Sequence, residues 1–223
     1  MNIVTIKLGN KFDSSFVNRL YEMCKRNITQ DFKFFCYTDD MSGIHPDIHI
    51  IVHEEMHLRP YFYKLYMLEL FDEAVLLDLD VVIQNNIDWL PYYFVENKIT
   101  LIKTGHNQYN SSVMAWKNAY HIWYYFMVNP NKHMDQFRGI DGFLSTLHRG
   151  SITNFFKWSI YSRLYGIYGF DKAEFIEGTN RHKEYYYPEM SICIFNSYNS
   201  KIILEEGYLL DDKSYEGMEH YWS

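Results

Sequence analysis

The stretch that decides the fold is Ala74-Val75-Leu76-Leu77-Asp78-Leu79-Asp80-Val81-Val82-Ile83. It is an apolar run that two carboxylates, two residues apart, interrupt. An apolar run of this kind predicts a strand buried on both faces, as in the parallel sheets of α/β proteins. A carboxylate there lowers the stability of the fold by several kcal/mol unless a partner neutralises its charge. The two aspartates therefore indicate that something binds beside this strand.

A divalent cation is one such partner. If the strand ends near Leu77, Asp78 and Asp80 lie at its carboxyl end, where open α/β sheets bind their ligands. Residues two apart on an extended chain point the same way. Mg²⁺ and Mn²⁺ bind through one or two carboxylates together with substrate phosphates. The alternative is that both aspartates cap the next turn, and a bare D-x-D pattern is too short to decide between the two.

The first half of the chain alternates strand-like and helix-like stretches. It predicts strands at residues 2–8, 32–37 and 48–52, and helices at residues 14–26 and 61–71, the second of which leads into the D-x-D strand. This β-α-β-β-α-β order favours a mainly parallel α/β sheet flanked by helices. Right-handed crossovers would bring the carboxyl ends of the first and fourth strands to the same edge.

The second half is less regular, and no repeat or linker divides the chain. Its patterns predict strands at residues 99–103, 111–116 and 191–195, and helices at residues 118–128 and 139–147. We therefore expect one domain that spans residues 1–223.

The net charge argues against one class of protein. A formal net charge of −7 argues against a generic nucleic-acid binder, which needs many Lys and Arg side chains on phosphates. Aromatic residues make up 19 % of the chain, which fits either a well-filled core or stacking surfaces for flat ligands.

The cysteines and the hydropathy indicate a cellular location. Cys24, Cys36 and Cys193 are odd in number and far apart, so neither a disulfide framework nor a zinc site is expected. The first residues lack the features of a secretory signal, and no run approaches the ~18 apolar residues of a membrane span. We expect a cytoplasmic protein.

Seven segments, taken together in order and spacing, carry a family resemblance. They are VTIKLGNKF at 4–12, YTDD at 37–40, YKLY at 63–66, LDLDVVI at 77–83, YNSSVM at 109–114, GID at 139–141 and SICIF at 191–195. With them the chain resembles nucleotide-sugar glycosyltransferases of the GT-A fold, specifically small bacterial and phage-type relatives of glycosyltransferase family eight.

The resemblance implies a single GT-A domain and a metal-dependent, hexosyltransferase-like enzyme. The donor would be a nucleotide sugar, a UDP-sugar first of all, the cation Mn²⁺ or Mg²⁺, and the acceptor a glycan, lipid or protein. Residues 1–103 would form the nucleotide-binding half, and residues 104–223 the half for acceptor and donor sugar. The resemblance also implies that Asp80 is the firmer metal ligand, while Asp78 contacts the metal or the nucleotide ribose.

Four further residues are candidates for donor binding by the same resemblance. Lys64 matches a basic position near the donor, although an ordinary surface lysine would look the same in sequence. Arg163 would reach the donor phosphates, for which a guanidinium has suitable geometry. Lys7 and Gly9 would frame the nucleobase, with Gly9 allowing close backbone approach. A plain turn from strand to helix would use the same residues.

The candidate catalytic residues are Asn110 and Asp141. In the family the element that contains Asn110 and Ser111 faces the donor sugar or diphosphate, but it could also be a turn that starts a strand. Asp141 matches an aspartate that contacts donor sugar or acceptor, and it could instead cap a helix. Asn196 stands where many relatives carry a late metal-binding histidine, and a neutral amide is a poorer ligand.

Two other functions remain open at this point. Nucleotidyltransferases and phosphohydrolases also use paired carboxylates and divalent metal, but no G-x-x-x-x-G-K phosphate loop is present. The non-enzymatic alternative is a degenerate GT-A module that binds a nucleotide or glycan without turnover, and Asn196 is its best support.

Overall fold

The computed structural model describes residues 1–105, 108–156, 159–162, 174–175, 182–183 and 187–194. The α-helices in these ranges are α1 (Ser14–Asn27), α2 (Tyr63–Leu70), α3 (Tyr120–Met127), α4 (Pro130–Gln136) and α5 (Ile140–Leu147). The strands are β1 (Asn2–Lys7), β2 (Lys33–Thr38), β3 (His49–Val52), β4 (Glu73–Leu77), β5 (Val81–Ile83), β6 (Lys98–Gly105), β7 (Gln108–Lys117), β8 (Ile152–Asn154), β9 (Ile160–Ser162), β10 (Glu174–Phe175), β11 (His182–Lys183) and β12 (Ile192–Ile194).

A seven-stranded sheet with the order β3-β2-β1-β4-β7-β6-β8 forms the centre of the fold. β1 pairs in parallel with β2 and with β4, and β2 pairs in parallel with β3. Only β7 runs antiparallel to its two neighbours, β4 and β6. The predicted parallel α/β sheet is therefore confirmed, and the carboxyl ends of β1 and β4 lie at the same edge.

Strand β4, which carries the apolar run, is buried on both faces, as predicted. Along β4, Val75 and Leu77 join a core cluster with α1, while Ala74 and Leu76 join a second cluster with α2, α3 and α5. The alternation of side chains along a strand makes this possible, because neighbouring residues point to opposite faces. The first cluster also contains a smaller sheet with the order β5-β12-β9.

The apolar run breaks where the two aspartates stand. β4 ends at Leu77, β5 begins at Val81, and the Val81 amide donates to the Asp78 carbonyl oxygen at 3.4 Å. Asp78 and Asp80 therefore lie in the turn between the two strands. The prediction that the strand ends near Leu77 is correct.

Two local differences from the predicted elements have identifiable causes. A short 3-10 helix, Pro60–Phe62, precedes α2, which begins at Tyr63 rather than two residues earlier. The pattern also gave no sign of α4, which has only 7 residues. Its start follows capping rules, since the Asn129 side chain accepts from the Lys132 amide and Pro130 occupies the first turn.

In the described ranges, no helix combines the length and the apolar character that crossing a bilayer requires. Cys24, Cys36 and Cys193 are all buried.

Trp116 offers a test of the core. Its ring on β7 is fully buried, and its Nε1 donates to the Phe71 carbonyl oxygen just after α2 at 2.8 Å. Trp116→Phe removes this donor and leaves a void, so we expect the free energy of unfolding in urea to fall by about 2 kcal/mol. The control is Tyr92→Phe, at an exposed ring, which should change it by less than about 0.5 kcal/mol. Equal urea midpoints for both variants would contradict the packing described here.

Candidate active site

Two hydrogen bonds hold the end of β4 between its neighbours. The Thr5 hydroxyl on β1 donates to the Leu77 carbonyl oxygen at 2.8 Å. The Asp78 amide donates to the Ser112 carbonyl oxygen on β7 at 2.9 Å. The turn that carries Asp78 and Asp80 therefore begins from a position fixed by strands on both sides.

Lys64 is a buried partner of Asp78. Its ammonium nitrogen on α2 lies 2.8 Å from Asp78 Oδ1 and 2.9 Å from Asp78 Oδ2. It also contacts Ser111, at 2.9 Å from the carbonyl oxygen and 3.3 Å from Oγ. These acceptors use all three donors of the ammonium group. Because Lys64 is only 9 % exposed, the alternative of an ordinary surface lysine is wrong.

Ser111 joins Lys64 to Asp141. The Ser111 amide donates to Asp141 Oδ1 at 3.0 Å, and Asn110 Nδ2 lies 3.5 Å from Asp141 Oδ2. Asn110 and Ser111 belong to β7 itself, so they do not form the turn that would precede a strand. The register between β6 and β7 shifts in this region, as at a β-bulge, and here the Ser111 amide donates to the Asp141 carboxylate.

Asp141 does not cap a helix. The N-cap position of α5 is Gly139, and Asp141 stands in the first turn, with its carboxylate turned to β7. Burial raises the pKa of Asp141, while the Lys64 ammonium and the hydrogen bond from Ser111 act in the opposite direction. A carboxylate held by two donors has a fixed orientation, as substrate recognition requires.

Asp80 carries the least balanced charge of the site. It is half-buried, and burial together with the neighbouring Asp78 carboxylate raises its pKa to about 6. The ammonium groups of Lys11 and Lys64 lower the pKa, but by less. A divalent cation beside Asp80 would relieve this repulsion, because it favours the charged form of both carboxylates. Two adjacent oxygen donors of this kind suit Mn²⁺ or Mg²⁺.

The loops after β1 and β2 are tied to each other at the same edge. The buried Lys7 donates to the Asp40 carbonyl oxygen at 3.3 Å, and the Gly9 amide donates to Asp39 Oδ2 at 2.8 Å. Gly9 has φ of +66°, which L side chains rarely adopt, so glycine is required here. The structure places Lys7 and Gly9 at the sheet edge where β4 and its two aspartates also end, and their role toward a nucleobase stays a prediction.

Sequence reasoning gave no individual role to Asp39 or Lys11. Asp39 holds the Gly9 amide, and Lys11 is close enough to lower the pKa of Asp80. The available signal was their position, since both follow strands whose carboxyl ends form this edge.

Arg163 and Asn196 lie outside the described residues. The strands that precede them are described: Ile194 on β12 pairs with Val81 on β5 and with Ser162 on β9. Val81 directly follows Asp80. In the part of the chain that the structure describes, no three His, Cys, Asp or Glu side chains form a group that could hold a metal ion. A cation at Asp78 and Asp80 would need further ligands from water, a donor or other residues.

No protein-family model matches the sequence, and no curated protein sequence matches it. Solved structures do match. An active-site mutant of LgtC has 10 % identity and a TM-score of 0.59, covering 97 % of this chain and 99 % of that chain. The glycosyltransferase GlyE of Streptococcus pneumoniae TIGR4 has 12 % identity and a TM-score of 0.53, covering 69 % of this chain and 44 % of GlyE. Mouse xyloside xylosyltransferase 1 has 11 % identity and a TM-score of 0.52, covering 73 % and 87 %.

The chain has a GT-A glycosyltransferase fold. At identities this low, the structural similarity establishes the fold alone. The substrate has to be inferred from the residues of the site. Membership of glycosyltransferase family eight stays a prediction. Beside Asp80, one hydrogen-bonded network connects five residues of this site: Lys64, Asp78, Ser111, Asn110 and Asp141.

The raised pKa of Asp80 predicts a pH-dependent stability. An acid whose pKa is higher in the folded state destabilises that state when ionised, so the penalty is absent below about pH 4 and complete above about pH 7. We expect metal-free Asp80→Asn to exceed the wild type in free energy of unfolding at about pH 7.5 by on the order of 1 kcal/mol. The gain should vanish near pH 4. Urea denaturation in EDTA at both pH values measures this difference.

Asp88→Asn is the matched control. Hydrogen bonds from Asn86 and Thr29 lower the pKa of Asp88, so its loss should destabilise the protein at neutral pH. An Asp80→Asn variant that is also less stable at neutral pH would contradict the electrostatics described here.

Proposed function

We propose that this protein is a metal-dependent glycosyltransferase that moves a sugar from a nucleotide-diphosphate donor, a UDP-sugar, to a glycan, lipid or protein acceptor. The observation that carries the proposal is the network in which Lys64 bridges Asp78 and Ser111, and Ser111 holds Asp141, next to the half-buried Asp80. This network stands at the carboxyl edge of a GT-A sheet, where α/β folds bind ligands.

The proposed division of the chain follows the position of the candidates. Residues 1–103 carry Lys7 and Gly9 for the nucleobase side, and Asp78 and Asp80 for the cation. Residues 104–223 carry Asn110, Ser111 and Asp141 for the donor sugar and acceptor. Arg163 and Asn196 are proposed as phosphate and metal ligands, since each follows a strand of the small sheet that contains Val81.

Glycosyl transfer requires positively charged groups near the leaving diphosphate and negatively charged groups near the sugar. Cleavage of the bond between sugar and diphosphate builds positive charge at the anomeric carbon and negative charge on the diphosphate. When bound by Asp80 and Asp78, with Asn196 as a further ligand, Mn²⁺ or Mg²⁺ supplies Lewis-acid stabilisation of the leaving group. The Lys64 ammonium adds a second positive charge beside Asp78.

Asp141 acts on the sugar side of the proposed site. Its carboxylate is oriented by the Ser111 amide and by Asn110, so it can accept a hydrogen bond from a sugar hydroxyl in a fixed direction. Its negative charge also stabilises the positive charge that develops at the anomeric carbon. Asn110 offers an amide for the remaining hydroxyls.

A GT-A module that binds a nucleotide without turnover is the second candidate. The neutral Asn196 in place of a metal-binding histidine favours it. The two candidates differ in turnover and agree in binding, so one assay separates them.

Asp80→Ala tests the proposed enzyme. UDP-, GDP- and CMP-sugars are incubated with Mn²⁺ and the released nucleotide is measured, with turnover expected for a UDP-sugar. Without Asp80 the cation loses its firmer ligand, and we expect turnover to fall by about 100-fold or more. Asp135→Ala, at an exposed carboxylate 3.8 Å from Arg59, is the control and should keep wild-type turnover. No binding of any nucleotide sugar with Mn²⁺ would contradict the proposal, and binding without turnover would favour the second candidate.

Asp141→Asn separates chemistry from donor binding. An amide oxygen can still accept from the Ser111 amide, so the contact between α5 and β7 is kept while the negative charge is lost. We expect kcat to fall by about 100-fold, with the Kd for UDP and Mn²⁺ within about threefold of the wild type. Calorimetry with UDP and a turnover assay give the two quantities. A large change in Kd with unchanged kcat would show that Asp141 serves binding only.

A further inference from the structure

The carboxylate of Asp78 is paired with the ammonium group of Lys64. Both of its oxygens lie within 2.9 Å of the Lys64 ammonium nitrogen, and that ammonium is held further by the Ser111 carbonyl oxygen. We propose that Lys64 keeps Asp78 from binding a divalent cation until a nucleotide diphosphate arrives, so that cation and donor are taken up together. This inference rests on the proposed function and adds a rule for how that site is filled.

The balance of charge at the site supports this order. The described residues bring Asp78, Asp80 and Asp141 together with the ammonium groups of Lys11 and Lys64. Three carboxylates face two ammonium groups, which leaves one excess negative charge. A divalent cation alone would add two positive charges and reverse the sign of this balance. A cation that enters with the two negative charges of a sugar diphosphate leaves the net charge of the site unchanged, which favours their joint uptake.

The burial of Lys64 makes its displacement by a cation alone unfavourable. Lys64 and the end of the Asp78 side chain are largely shielded from water, with side-chain exposures of 11 % and 26 %. Neighbouring residues of α2, Leu65, Met67 and Leu68, are fixed in the core, so the helix cannot withdraw the lysine. A cation that took Asp78 would leave a buried ammonium group without its charged partner. A diphosphate offers that ammonium group a new anionic partner and frees Asp78.

A double-mutant cycle on Mn²⁺ binding tests this inference. Free Mn²⁺ is measured by electron paramagnetic resonance for the wild type, Lys64→Met, Asp78→Asn and the double variant, each with and without UDP. Without UDP we expect Lys64→Met to bind Mn²⁺ about tenfold more tightly than the wild type, because Asp78 becomes available. Asp78→Asn should weaken Mn²⁺ binding at least about fivefold more in the Lys64→Met background than in the wild type.

The control removes the same charge elsewhere. Lys117 pairs with Glu73 at the start of β4, and Lys117→Met should change Mn²⁺ affinity by less than about twofold. Lys64→Gln serves as a second variant, since it keeps a donor toward Ser111 without the charge and guards against misfolding of Lys64→Met.

Unchanged Mn²⁺ affinity in both Lys64 variants, or additive effects in the cycle, would overturn the inference while leaving the proposed enzyme intact. Failure of the wild type to bind Mn²⁺ even with UDP would instead contradict the proposed function.

Discussion

β4 is buried on both faces and ends in two carboxylates, which need positively charged partners. The arrangement around β4 follows from that constraint. Ala74 to Leu77 are buried in two core clusters, one on each face of the sheet. The charged side chain of Asp78 therefore lies at the edge of the sheet, where the strand ends. α2 supplies one ammonium group there, and β7 turns its Ser111 backbone toward both Lys64 and Asp141. β4, α2 and the bulged part of β7 therefore meet at the point where the carboxylates have to be neutralised.

The balance is incomplete, and its incompleteness points to a ligand. Asp78 is fully paired, whereas the pKa of Asp80 is raised because its own burial and the Asp78 carboxylate outweigh the two lysines. A fold selected for stability alone would replace such a group, since an unmatched half-buried carboxylate lowers the free energy of unfolding. Departures of this kind concentrate at functional sites, where a bound partner repairs them.

The elements of the first half could be predicted because their patterns are local. An apolar run and a helix cap are visible within a few residues, as at β4 and at Asp13, which accepts from the Ser15 amide as the N-cap of α1. The pairing of Lys64 with Asp78 joins residues 14 apart, and that of Ser111 with Asp141 joins residues 30 apart. No periodicity encodes such contacts. They follow from sheet order and from a register shift in β7 that only the structure reveals.

The same distinction explains why a fold can be shared at 10 to 12 % identity while the chemistry has to be argued from individual residues. Alternation of apolar side chains specifies a sheet and tolerates many exchanges of similar volume among Val, Ile and Leu. The Lys64 ammonium group donates all three of its hydrogens to Asp78 and Ser111. Loss of this lysine removes a partner from each of these acceptors. A buried lysine beside an incompletely balanced carboxylate is therefore stronger evidence for a charged ligand than the likeness of the backbone.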